Sequence, residues 1–126
     1  MAARVVNRHY DRALVPAGVT TTQYAILSRV DREGALPLGV LAGRLALDRS
    51  TLSRELKPLV EDGLLADARD ESDARRRVVE LTRRGRATVK RARPLWANAQ
   101  DELVESFGDV RTRRLISELH ALVGAE

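Results

Sequence analysis

Residues 45–85, LALDRSTLSRELKPLVEDGLLADARDESDARRRVVELTRRG, constrain the fold of this chain more than any other stretch. Leu52, Leu56, Leu59 and Val60 recur at three- and four-residue spacing, the buried stripe of an amphipathic helix. Asp48 stands where that helix starts, and its carboxylate can accept the free N–H groups of the first turn. Gly63 stops the helix, because it can take the left-handed conformation that follows a last turn. Two strands are predicted next, at 64–69 and 77–81, around a polar tip at 70–76. Thr82 can then cap a further helix.

The face of the first helix opposite the apolar stripe carries Arg49, Ser50, Thr51, Ser53, Arg54 and Lys57. Short hydroxyls and long cations of this kind reach base edges and phosphates in a major groove. Two motifs now stand in register: DRSTLSRELKPLVEDGLL, and DARRRVVELTRRG, which is D-x-R, five residues, L-T, two residues and G. On these motifs the chain resembles the MarR family of winged helix-turn-helix transcriptional regulators, from about residue 4 to the end.

The resemblance implies a mainly α fold with a small β-hairpin wing. Residues 20–82 would form the winged helix-turn-helix lobe, with dimerisation helices at 1–15 and 83–126. It implies a homodimer on double-stranded DNA with a near-palindromic operator, a repressor by expectation, although the sequence leaves repression and activation both open. Arg75 would be the wing residue placed in the minor groove, with Asp73 orienting it and Arg76 beside it. A small aromatic or anionic effector is also implied, held between the dimer helices and the DNA-binding lobe. The family's first helix is usually longer than the one readable here, a departure that bears on the dimer and on the roof of such a pocket.

Charge is distributed as this expectation requires. Residues 44–93 hold 14 Lys/Arg against 9 Asp/Glu, whereas residues 94–126 hold 3 against 6. Phosphate neutralisation needs positive charge on the helix-turn-helix and wing. An Arg-rich composition that merely solvates exposed helices would look similar, so charge by itself does not decide. With 126 residues the chain makes one domain with a modest core. It has no Cys, which rules out disulfides and the thiol-oxidation sensing used by some members of the family. No apolar run reaches the ~18 residues of a membrane span, and no signal-peptide core opens the chain. A soluble, cytoplasmic protein without a cofactor is expected.

In chain order, Val6, Tyr10 and Leu14 mark a first helix that Pro16 and Gly18 break. Thr20 and Gln23 form a capping box, opening a helix with Tyr24, Leu27 and Val30 on one face. Tyr24 reads as core, with a ligand contact as the alternative. Leu36, Pro37 and Leu38 read as a short extended piece, a candidate third strand. Val40, Leu41 and Leu45 define a short helix in which Ala42 and Gly43 would permit close packing. Pro58 is expected to bend the helix that contains it without ending it.

A long helix is predicted over 83–107, with Val89, Ala92, Trp96, Ala99, Leu103 and Phe107 as its stripe and Pro94 bending it. A last helix would carry Leu115, Ile116, Leu119, Leu122 and Val123. A stripe this long exceeds what one small wing can cover. Val6, Tyr10, Trp96, Leu103, Leu115, Leu119 and Leu122 are therefore expected at a dimer interface.

An enzyme finds little footing. His9 and His120 are far apart and lack metal-ligand spacing, and Ser50 and Ser53 have no neighbouring base motif. Asp70, Glu71 and Asp73 could bind a cation, although a solvated turn explains them as well. Two rivals stay open: a winged helix that docks a partner protein, and a non-specific architectural DNA binder. Only a specificity ratio separates the latter from a regulator.

Overall fold

The structure, a computed structural model, describes residues 2–107, 113–118 and 121. The elements are helix α1 (Ala2–Leu14), a 3₁₀ turn at Val15–Ala17, α2 (Thr21–Glu33), strand β1 (Leu36–Pro37), α3 (Leu38–Leu45), α4 (Arg49–Glu61), β2 (Leu65–Arg69), β3 (Arg77–Leu81) and α5 (Arg83–Phe107). Residues 113–118 are helical as well. The mainly α architecture with a small antiparallel sheet is the one expected from the sequence. Among the described residues, no helix is long and apolar enough to cross a membrane.

Local chemistry sets the ends of these elements. The Thr20 hydroxyl accepts from the Gln23 N–H at 3.2 Å, and the Gln23 side chain accepts from the Thr20 N–H at 3.0 Å. That capping box starts α2 as predicted. Asp11 adds a link the sequence reading did not find. Its carboxylate takes both the N–H and the hydroxyl of Thr21 at 2.6 Å, tying α1 to the start of α2.

α4 runs through Pro58. It ends in a Schellman arrangement, with Gly63 at φ +76°, its N–H on the Val60 carbonyl at 3.0 Å and the Leu64 N–H on the Leu59 carbonyl at 2.9 Å. The second of these bonds uses the Leu64 N–H, so β2 begins at Leu65, one residue later than predicted.

The sheet has the order β1-β3-β2. β1 is the third strand anticipated at Leu36 and Pro37, pairing with Val79 and Val78. Pro37 has no N–H to give, which an edge strand tolerates. β2 pairs with β3 from Leu65 opposite Leu81 to Arg69 opposite Arg77. Being central, β3 buries both Val78 and Val79.

The L-T-x-x-G run at 81–85 has a physical cause here. The Thr82 hydroxyl lies 2.6 Å from the Gly63 carbonyl and 3.1 Å from that of Leu64, and accepts from the Gly85 N–H at 2.9 Å. A Cβ at residue 85 would overlap the Leu64 carbonyl oxygen and the Leu81 side chain. One motif therefore fastens the start of α5 to the junction of α4 and β2. Gly43, by contrast, faces open space, so of that pair in α3 Ala42 alone is buried.

The core joins α1, α2, α3, α4, α5 and the sheet in one cluster. Tyr10 stacks on Trp96 with centroids 3.8 Å apart, and Tyr24 leans on the same indole at 5.4 Å. Tyr24 is thus a core residue.

Four of the seven residues expected at a dimer interface are already buried within one chain. Val6, Tyr10, Trp96 and Leu103 are each 5% exposed or less within the single chain. Helix α1 packs along α5 over its apolar stripe, with His9 against the Ala99 carbonyl at 3.0 Å. Leu115 is half-buried against the same core, while Leu119 and Leu122 lie outside the described residues.

Candidate nucleic-acid interface

α4 turns its Leu52, Leu56 and Leu59 edge into the core. Arg49, Ser50, Ser53, Arg54 and Lys57 are left exposed, with Thr51 half-buried. At its start the Asp48 carboxylate accepts the Thr51 N–H at 2.8 Å, the Ser50 hydroxyl at 2.7 Å and the Thr51 hydroxyl at 3.1 Å. The Arg54 guanidinium donates to the Thr51 hydroxyl at 3.3 Å. These bonds, Ser50 foremost and then Thr51, pull the Asp48 carboxyl down from 3.8 to about 2. Asp48 was read from the sequence as a backbone cap alone. The signal for its wider role was present, since hydroxyls two and three residues after a cap can reach the same carboxylate.

The hairpin β2–β3 projects a tip at residues 70–76, closed by the Asp70 N–H on the Arg76 carbonyl at 3.0 Å and by the Arg76 N–H on the Asp73 carbonyl at 2.9 Å. Ser72 donates its N–H and hydroxyl to Asp70, which holds that carboxyl below its ordinary value, with Arg76 helping from 3.7 Å. Arg75 is bonded to Asp73 by its N–H at 3.0 Å and its Nε at 3.3 Å. Its side chain is nevertheless 93% exposed, the reach a groove-inserting guanidinium needs. Asp70 and Asp73 are thus engaged with Ser72 and Arg75. Among the described residues, no group of three or more His, Cys, Asp or Glu could hold a metal ion.

Arg77 takes a different part. It pairs with Asp67 across the strands at 2.6 Å, on the wall of a groove of about 320 Å³ that Ser53 and Lys57 line from α4. Helix and wing thus line one open groove, with Lys57 and Glu61 on the α4 wall and the Arg77–Asp67 pair on the wing wall.

The model of the MarR family matches residues 19–76, the helix-turn-helix and most of the wing. The transcriptional regulator MosR of M. tuberculosis, solved in complex with DNA, is 39% identical to this chain with a TM-score of 0.79, covering 98% of this chain and 91% of its own. The chain belongs to the MarR family. The transcriptional repressor CouR, solved on a 23-mer DNA duplex, is 29% identical with a TM-score of 0.82, covering 96% of this chain and 86% of its own. The transcriptional activatory protein BadR of Rhodopseudomonas palustris is 32% identical over 87 residues, which is 67% of this chain and 50% of BadR. The chain spans between half and two thirds of the length of the curated relatives it matches. Each of these MarR relatives is named as a regulator of transcription.

Proposed function

We propose that this chain is a sequence-specific, DNA-binding transcriptional regulator that acts as a homodimer. The observation that carries the reading is that α4 and the wing meet at one open groove, lined by Ser53, Lys57 and Arg77, while Arg49, Arg54 and Arg75 are exposed on the same two elements. Likeness to MosR and CouR, both solved on DNA, supports it. Arg49, Ser50, Thr51, Ser53 and Arg54 read bases or hold phosphates from the major groove, and Lys57 holds the backbone. Arg75 enters the adjacent minor groove, where narrow width concentrates negative potential, while Asp73 orients it and Arg76 stays on the phosphates. Two copies place two α4 helices about one helical turn apart, so the operator is a near-palindrome. Repression follows where that operator overlaps a promoter.

The dimer forms through the end of the molecule where α1 starts and α5 stops. There Val5 and Val104, 47% and 39% exposed, are left uncovered by their own chain. A small aromatic or anionic ligand that favours a half-site spacing unable to fit DNA would release the operator by population shift.

Selection of bound DNA from a random library at near-physiological salt, followed by affinity for the best site and a scrambled one, tests the reading. A palindromic winner bound far more tightly is the expected result. Uniform binding with a steep salt slope would instead identify an architectural binder, and no binding would turn attention to a protein partner.

A further inference from the structure

We propose that Asp48 is a positioning residue that sets the base preference of α4, by fixing the hydrogen-bond polarity of the hydroxyls beside it. The inference rests on the DNA reading above and deepens it. Ser50 and Thr51 each own one hydroxyl proton, and both protons are given to the Asp48 carboxylate. Ser50 Oγ therefore offers the groove only lone pairs. Thr51 Oγ1 is more constrained still, since Arg54 Nη2 donates to one of its lone pairs. Asp48 itself is exposed and acceptor-only, and its depressed pKa keeps it so at every physiological pH. Turning either hydroxyl proton outward would strip the carboxylate of a charge-assisted hydrogen bond.

The first turn of α4 thus presents three acceptors, Asp48, Ser50 and Thr51, between the donors Arg49 and Arg54. In the major groove, donors come from cytosine N4 and adenine N6, whereas guanine O6 and thymine O4 are acceptors at the corresponding places. Cytosine or adenine satisfies the turn; guanine or thymine sets lone pairs against lone pairs. Phosphate oxygens are acceptors too, so Ser50 and Thr51 are base readers and Arg49 holds the backbone. Arg54 spends one of its donors on Thr51, which holds its fork in place and leaves the remaining N–H groups free for a guanine edge.

Asp48→Asn separates polarity from capping. Asn caps helices about as well as Asp, and its carbonyl can keep the Thr51 N–H. Its amide is a donor, however, so one of the two hydroxyls must become an acceptor toward it and return its proton to the groove. Wild type and D48N would be compared by selection from one random library, with helical content measured in parallel.

Wild type is expected to select cytosine or adenine over guanine or thymine by roughly ten-fold at the position facing the first turn. D48N is expected to relax that position alone, at unchanged helicity. Identical preferences at every position, or a loss of affinity uniform across sequences, would overturn the proposal and leave Asp48 as a cap only, with the DNA reading intact. Indifference of the wild type to sequence would remove the DNA reading and the proposal together. Should D48N lose helix, Ser50→Ala removes one acceptor without touching the cap. It must then lose discrimination at that same position for the proposal to stand.

Discussion

The Tyr10 ring lies nearly parallel to the Trp96 indole, centroids 3.8 Å apart and planes 23° from parallel. This pair joins α1 to α5 at the middle of the core. It also holds two buried polar atoms, Tyr10 Oη and Trp96 Nε1, that have no hydrogen-bond partner among the described residues. Trp96→Ala should destabilise the chain by about 3–5 kcal/mol in urea unfolding. Tyr10→Phe keeps the stack and removes a hydroxyl that burial leaves unsatisfied, so stability should hold or rise by about 1 kcal/mol. A loss of that size in Tyr10→Phe would mean the hydroxyl is satisfied by water. Burial also pushes the Tyr10 hydroxyl up to about 12, so its contribution is complete below pH 10 and lost as pH rises from 10 through 12. The alkaline limb of a stability–pH curve in wild type, flattened in Tyr10→Phe, checks the sign.

The Thr82 clamp predicts two effects of different size. Thr82→Ala removes the cap of α5 and its reach to Gly63, a loss of about 1–2 kcal/mol. Gly85→Ala forces a methyl into the Leu64 carbonyl and should cost at least about 1–3 kcal/mol, because the Leu64 backbone and the Leu81 side chain must shift. Thermal unfolding of the two variants ranks them, and a neutral Gly85→Ala would contradict the packing of α5 against the α4–β2 junction.

Asp48 carries a pH signature. Its folded value is depressed, so its stabilising effect is present above 3.8 and disappears as pH falls toward 2. Asp70 and Glu33 are shifted in the same direction and add to the acid limb, Asp70 through Ser72 and Glu33 through Arg44. Wild type should exceed Asp48→Asn in stability near neutrality, with the gap closing in that acid window. A gap that persists below pH 2 would mean the difference is not electrostatic.

On DNA, the helix and the wing should fail differently. Arg54→Ala is expected to cost about 1–3 kcal/mol on the selected operator and relax its preference at one position. Equal losses on operator and random DNA would reassign Arg54 to phosphate. Arg75→Ala should weaken binding across sequences, and most on an A·T-rich flank. Unchanged binding there would remove the minor-groove role.

Val104→Glu places a charge on the uncovered end of α5 and is expected to yield monomer by light scattering, with operator affinity falling alongside. Val104 is 39% exposed and lies outside the buried core, and circular dichroism of the variant checks that the fold is kept. A Val104→Glu protein that remains dimeric would move the interface elsewhere.

Where helices start and stop, and which of their faces are apolar, is encoded in short stretches of the chain. Asp48, Thr20 with Gln23, Gly63 and Thr82 act within a few residues of themselves, so their effect is written locally. The cationic face of α4 and the exposed Arg75 were legible for the same reason. What covers an apolar stripe is a different kind of question. Periodicity says that Val89, Trp96 and Leu103 must be buried, but does not say by what; packing in three dimensions chose α1 of the same chain. The hydroxyl polarity at Asp48 and the Asp67–Arg77 pair across the strands likewise follow from side-chain geometry, because hydrogen bonds depend on direction and distance that spacing alone leaves undetermined.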